Sequence, residues 1–359
     1  MKSGDSLEKD KYTMQQIQTR KVKTKQGLSV RTRMPAVLAA LICGLSAVNP
    51  VLAAGVCPGM PDVSIYAVDT SNTLYKRAPG GSSFVTLGKF KGTGAENIIG
   101  MDFRTADGQL YAVGDRNTIY RIRLDAVTPD GVPAETVSSL RTSFTQVFGG
   151  GYQSLMDFNP VVDAIRLIGS NRSNYAVTSV NGGLFNQLTR QTDMNIPSTL
   201  PTNGTPNIVA GAYDNSYLGA PNTTFYMIDH DNDNFAMVPL GANGSSNTAG
   251  GVVASYGGIF DPSAPNALTP PINFTSVAGL DIFTDTSDTH VVYPNYGVAT
   301  SGSSLFCIGV QTPATPAGTI SYDLNTLKQN IGTFRRIVAT PAAVSPLQSG
   351  IIADIALGQ

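Results

Sequence analysis

The chain has 359 residues with 42% hydrophobic and 14% charged side chains, 37 glycines, 22 prolines, two histidines and no tryptophan. It is too apolar to stay disordered and too poor in charge for long amphipathic helices. So much glycine and proline instead points to many short strands joined by tight turns.

The formal net charge of -1 hides a division along the chain. Residues 1–54 hold nine basic side chains, including Arg20, Lys21, Lys23, Lys25, Arg31 and Arg33, against three acidic ones, Asp5, Glu8 and Asp10. The remainder carries fifteen basic and twenty-two acidic residues, a balance of -7. The basic part runs into an apolar stretch from Pro35 to Val48, then Asn49-Pro50 and Val51-Leu52-Ala53-Ala54-Gly55. A positive segment, a short apolar one and small residues at the exit form the pattern of a secretory signal. Residues 1–54 are therefore read as a signal peptide with a long basic n-region, cleaved after Ala53 or, second, Ala54, and 55–359 as a single domain. Translation starts at Met1 or at Met14, which keeps most of the positive charge. The apolar run is shorter than the ~20 residues of a bilayer-spanning helix, so no membrane span is expected after cleavage. Secretion or periplasmic residence follows, and the exported chain is expected to be a monomer.

After cleavage two cysteines remain, Cys57 and Cys307. An even pair in an exported chain reads as a disulfide, with two buried free thiols as the alternative. It would close a loop of about 250 residues and contribute roughly 4–5 kcal/mol in the chain-entropy description.

An internal repeat comes next. Ile65-Tyr66-Ala67-Val68 through Tyr75-Lys76 aligns without a gap on Leu110-Tyr111-Ala112-Val113 through Tyr120-Arg121, 45 residues later. Each copy is an apolar strand, a polar turn and a second strand, hence a β-hairpin. Weaker copies start at Ile165 and Phe225. A short strand with one aspartate between apolar neighbours accompanies them: Gly100-Met101-Asp102-Phe103, Leu155-Met156-Asp157-Phe158, Gly279-Leu280-Asp281-Ile282 and Ile352-Ala353-Asp354-Ile355. Ala212-Tyr213-Asp214 is a degenerate copy. One aspartate strand, one hairpin and a fourth strand such as Glu135–Leu140 make a four-stranded unit of propeller-blade spacing. The first hairpin lacks an aspartate strand before it and the last aspartate strand lacks a hairpin after it. The expected fold is thus an all-β propeller of five four-stranded blades, starting near 351, 100, 155, 211 and 279, closed by the C-terminal strand on the N-terminal hairpin. A sixth blade is the alternative, because Ser303–Gly309 and Thr319–Tyr322 also read as strands.

The block Asp157-Phe158-Asn159-Pro160-Val161-Val162-Asp163-Ala164-Ile165-Arg166 resembles a signature of the exported bacterial proteins grouped as domain of unknown function 4394. Gly100–Gly114 and Thr223–Asp229 match as further blocks, and the resemblance spans about residues 63–357. It implies a propeller-like exported protein, a family motif at Asp157, Asn159, Asp163 and Arg166, and no established reaction. The chain departs from the family after Arg166, at Gly169–Asn174.

Residue types limit the chemistry. His230 and His290 have no spaced partner for a histidine zinc site, and no Gly-x-Ser-x-Gly elbow occurs. Aspartate is the exception. Asp229, Asp231 and Asp233 alternate as in the first part of a calcium loop, but glycine is missing at its sixth position and glutamate at its twelfth, so a plain hairpin turn competes with calcium. Asp102, Asp157, Asp281 and Asp354 either line a central channel or cap the neighbouring blade's backbone, the symmetric repetition favouring the cap. Arg166 is expected to pair with Asp157 or Asp163. The acidic balance and the lack of a basic stripe exclude nucleic acid. Two functions remain: a non-enzymatic propeller binding a carbohydrate, surface polymer or protein, and a hydrolase or lactonase-like enzyme using a cation held by channel aspartates.

Overall fold

The computed structural model describes residues 55–358 apart from 117, 141–151, 170, 197–204, 242–247, 262–271, 288–291, 312–318 and 329–335. The signal-peptide reading of 1–54 and His290 lie outside the described residues. In chain order the first hairpin is β1 (Ile65–Asp69) and β2 (Thr73–Arg77), followed by β3 (Val85–Lys91). Blade 1 is β4 (Ile98–Phe103), β5 (Leu110–Gly114), β6 (Thr118–Ile122) and β7 (Val132–Ser139). Blade 2 is β8 (Ser154–Asn159), β9 (Ala164–Gly169), β10 (Asn174–Val180) and β11 (Gly183–Arg190). Blade 3 is β12 (Ile208–Tyr213), β13 (Phe225–Asp229), β14 (Asn234–Val238) and β15 (Ala254–Phe260). Blade 4 comprises β16 (Leu280–Thr284), β17 (Asn295–Ser301), β18 (Ser304–Gln311) and, after the two-residue β19 (Ile320–Ser321), β20 (Arg336–Pro341). The last strand, β21 (Ile352–Leu357), pairs antiparallel with β1, from Ile65 opposite Leu357 onward, and completes blade 5.

The protein is therefore a five-bladed β-propeller, closed as the phase of the repeat predicts. The strands considered for a sixth blade belong to blade 4: Ser303–Gly309 falls largely in β18, its third strand, and Thr319–Tyr322 contains β19, a short ribbon on β18. The 45-residue offset survives in three dimensions. Ala67 faces Tyr75 in the first hairpin and Ala112 faces Tyr120 in the second, with every neighbouring pair in the same relation.

Burial falls from the axis outward. Every described residue of β8, β12, β16 and β21 is buried, whereas β3, β7 and β11 mix buried with exposed positions. Inner strands are covered on both faces by neighbouring blades, so they read as continuous apolar runs rather than alternations. Five apolar clusters fill the five seams. Val68 and Leu74 meet Ile98 and Met101 between blades 5 and 1, and Tyr111 and Ile119 meet Phe158 and Leu167 between blades 1 and 2. Leu155 and Ile168 meet Tyr213 and Phe225 between blades 2 and 3, and Tyr226 and Phe235 meet Leu280 and Ile308 between blades 3 and 4. Phe283 and Val298 meet Ile65 and Ile355 between blades 4 and 5. Two seams are also joined at the rim by short parallel pairings, β3 with β7 and β15 with β20.

Cys57 is bonded to Cys307 on β18, with 5.5 Å between their Cα atoms, so the segment leading into blade 5 is tied covalently to blade 4. Among the described residues no helix is long and apolar enough to cross a membrane.

Candidate functional site

The inner strands surround the axis in the order β21, β4, β8, β12, β16. Glycine lets them approach. A β carbon at Gly100 would sit 2.5 Å from the Met156 Cβ, and one at Gly279 would sit 2.8 Å from an Asp354 carboxylate oxygen. That is the physical reason for the glycine that opens the Gly-x-Asp pattern in β4 and just before β16.

The four strand aspartates are all buried. Each reaches across a seam to the inner strand of the next blade and accepts a backbone N–H. Asp354 accepts from Met101 at 2.8 Å, Asp102 from Phe158 at 2.8 Å, Asp157 from Tyr213 at 3.0 Å and Asp281 from Leu357 at 2.6 Å. Asp102 and Asp281 each accept a second N–H, from Phe103 and Ile282, both at 2.6 Å. The carboxylates thus hold amides that the pairing within their own sheets leaves over.

Two features depart from the repeat. The aspartates occupy two levels: Asp102 and Asp157 face Tyr111 and Arg166, whereas Asp281 and Asp354 face Val298 and Val68, two residues further along the second strand. A shift of two keeps the side chain on the same face. Blade 3 has no aspartate at either level, for β12 presents Ala212 opposite Tyr226 and Ala210 opposite Ile228. Asp214, the degenerate copy, lies just past β12 and accepts the Thr224 N–H of its own blade at 2.7 Å. The seam between blades 3 and 4 is closed by amides instead. Asn295 Oδ1 accepts from the Asn215 N–H at 2.9 Å and its Nδ2 donates to Asn215 Oδ1 at 3.0 Å, while the Ser216 N–H donates to Thr284 Oγ1 at 2.8 Å.

Asp102, Asp157 and Asp281 each offer an oxygen within 4.8 Å of the others, the group of three acidic, histidine or cysteine side chains among the described residues with spacing suited to a metal ion. Burial pushes the Asp102 carboxyl well above the usual range, reinforced by the Asp281 charge. Burial, then the Asp102 and Asp281 charges, does the same to Asp157. Burial raises Asp281 to about 6, and Asp354 is raised by burial as well. Such a cluster is either partly protonated or neutralised by a cation.

Asp229, Asp231 and Asp233, where a plain hairpin turn competes with a calcium loop, lie at the turn between β13 and β14. Asp229 accepts from the Asn207 N–H at 3.0 Å and from Asn232 Nδ2 at 2.7 Å, and Asp231 accepts from Asn207 Nδ2 at 3.0 Å. Asp233 takes a left-handed conformation, φ 49°, closing the hairpin between β13 and β14. His230 Nδ1 is 2.6 Å from the Phe274 carbonyl, anchoring that turn.

The ten-residue family block forms the first hairpin of blade 2. Asn159 Oδ1 accepts the Val161 N–H at 3.0 Å, and Asp163, φ 49°, completes the turn. The expected pairing of Arg166 with Asp157 or Asp163 is corrected. Asp157 is turned to the next blade, and Asp163 is held at 2.8 and 2.5 Å by Arg104 of the preceding one. Arg166 instead binds Asn174 Oδ1 at 2.7 Å, the Tyr175 carbonyl at 3.2 Å and Gln191 Oε1. The block is therefore a coupling element, with Asp157 reaching forward and Asp163 backward.

Sequence reasoning missed a surface feature. The turns on blades 3 and 4 bring Tyr217 and Tyr293 edge to face at 5.1 Å, beside Leu218, 74% exposed, and Val292, 57% exposed. Only the local tyrosine and aliphatic pairs signal it, and they lie 76 residues apart.

No curated protein matches the chain. Among solved structures it is similar to one in the crystal structure of a nidogen/laminin complex, at 12% identity and a TM-score of 0.41 over 83% of this chain and 98% of that one. An auxiliary nutrient binding protein from Bacteroides thetaiotaomicron VPI-5482 is similar at 11% identity and a TM-score of 0.35, over 67% of this chain and 57% of that one. YCF48 from Cyanidioschyzon merolae is similar at 13% identity and a TM-score of 0.33, over 72% and 66%. Residues 74–328, which include the ten-residue block and four of the five strands that line the axis, match one family throughout, and the chain belongs to the family described as Domain of unknown function (DUF4394).

Proposed function

We propose that this chain is an exported, non-enzymatic binding protein that engages a partner at the cell envelope through its turns. The observation that carries this reading is the half-buried Tyr217–Tyr293 pair, each tyrosine adjoined in sequence by an exposed aliphatic residue, Leu218 or Val292, on two adjacent blades. Tyrosines supply large rigid contact area at low entropic cost, which suits a binding surface. The axial aspartates support the same reading, because they are buried and engaged by backbone amides and so belong to the frame rather than to a site open to substrate. The disulfide supports an oxidising compartment, periplasmic or extracellular. The test is co-sedimentation of purified protein with cell envelopes. The double variant Leu218→Asp, Val292→Asp should lose co-sedimentation while melting like the parent. Unchanged co-sedimentation would overturn the reading.

A second reading rests on the convergence of Asp102, Asp157 and Asp281. Three carboxylate oxygens at this spacing suit a hard divalent cation such as calcium, and a cation at the axis would supply Lewis-acid chemistry to a hydrolase or lactonase. Metal analysis and melting with and without chelator separate the two. Stoichiometric metal together with chelator-sensitive turnover of an ester or lactone would establish the enzyme.

A further inference from the structure

We propose that the cleft at the seam between blades 4 and 5 is a binding site for a neutral saccharide. This rests on the reading of the chain as a binding protein and names a ligand class for a place other than the tyrosine patch. The cleft has a volume of about 500 Å³, within the range of small-ligand sites. One wall is the outer part of blade 5, β2 and the turn into β3, and the other is the segment 345–349 that leads from β20 to β21.

The lining carries no charged side chain. Its polar side-chain groups are hydroxyls, from Tyr75, Ser83, Thr86, Ser345 and Ser349, and the amide of Gln348. Each of these both donates and accepts. Residues 55–359 carry a balance of -7, yet neither an acidic nor a basic side chain lines this cleft. Neutral groups that donate and accept together match a ligand dense in hydroxyls. The apolar part is Phe84, half-buried, with Pro346 and Leu347 beside it. An aromatic ring beside hydroxyls suits a pyranose, which has an apolar C–H face and a polar edge.

The walls are fixed before any ligand arrives. The Ser345 N–H donates to the Ser82 carbonyl at 2.8 Å, and the Leu347 N–H donates to the Ser303 carbonyl at 2.9 Å, so the segment is tied to both blades. The Tyr75 hydroxyl donates to Asp69 Oδ2 at 3.0 Å and is also hydrogen-bonded by Ser349, which ties the β2 wall to the 345–349 segment. Side chains and loops already held in place lose little entropy on binding.

The test is a calorimetric titration of the purified protein with maltose, cellobiose and N,N′-diacetylchitobiose at millimolar concentrations. Saturable binding of at least one is expected, weakened about tenfold by Phe84→Ala and similarly by Gln348→Ala. Thermal melting controls for folding, and Thr86→Ser should retain affinity because it keeps the hydroxyl. Absence of saturable binding to all three, or binding indifferent to both alanine variants, overturns the proposal. Envelope co-sedimentation that persists in Phe84→Ala while no disaccharide binds would remove the saccharide site and leave the binding-protein reading standing. Cleavage of a bound disaccharide would overturn both.

Discussion

The seam between blades 3 and 4 and the other four seams do the same work with different chemistry. At four seams a buried carboxylate accepts a backbone N–H from the next inner strand. At the fifth, alanines face the axis and an amide network between Asn215 and Asn295 closes the gap near the strand ends. Charged acceptors make the stronger hydrogen bonds, but several carboxylates near one axis repel each other. Leaving β12 without an aspartate limits that repulsion, and the Asn215–Asn295 amide contacts across this seam do not titrate.

The tie across the seam between blades 4 and 5 offers the largest perturbation. Replacing Cys57 and Cys307 together by serine should lower stability by roughly 4–5 kcal/mol, from the long loop that the bridge closes. Denaturant unfolding would measure it, and a loss below about 1 kcal/mol would mean that the apolar packing and hydrogen bonds hold this seam without the bridge.

Acidity separates the two kinds of seam next. Burial raises the folded-state value of Asp281 to about 6, above an unfolded value near 4. The folded state therefore binds the proton more tightly. The resulting stabilisation is fully present below about pH 4 and is lost as pH rises through about 6, on the order of 3 kcal/mol for this group. In metal-free buffer, melting should rise as pH falls from 7 to 5. A cation at Asp102, Asp157 and Asp281 would invert the slope, because it favours the ionised forms. Melting curves at the two pH values, with and without calcium, distinguish these cases.

Asn295→Ala attacks the neutral seam. Asn295 is fully buried and serves Asn215, Thr284 and Asn325 through its amide. Removing it strands several buried groups and should cost about 1–3 kcal/mol, by the same amount at pH 5 and pH 7. A pH-dependent loss would show that this seam too is coupled to the aspartates.

Much of the fold was legible because a hairpin is local: the copies at 65 and 110 carry their pairing partners within a dozen residues. The closure was legible from an unpaired strand at one end and an unpaired hairpin at the other. Contacts across a seam were not. Asp163 and Arg104 are 59 residues apart, and nothing local indicates that Asp163 turns back to Arg104 while Arg166 turns to Asn174. The two levels of the aspartates were hidden for a similar reason, since Gly-x-Asp reads alike whichever residue of the neighbouring strand it faces. The ring of aspartates was visible as a pattern, but its gap at β12 shows only when Ala210 and Ala212 are placed in register.

Asp163→Asn probes the backward half of the coupling and should have the smallest effect. Asparagine tolerates the left-handed conformation that Asp163 adopts, so the turn survives and only the charge opposite Arg104 is lost. Arg104 keeps its ion pair with Asp107 at 2.7 Å. The Asp163 side chain is 42% exposed, so solvent screens the pair with Arg104. The loss should be about 0.5–1 kcal/mol and shrink as salt is added. Asp163→Ala should cost more, because alanine resists the left-handed conformation. Equal losses from the two variants would show that charge, not backbone geometry, gives this position its place in the family motif.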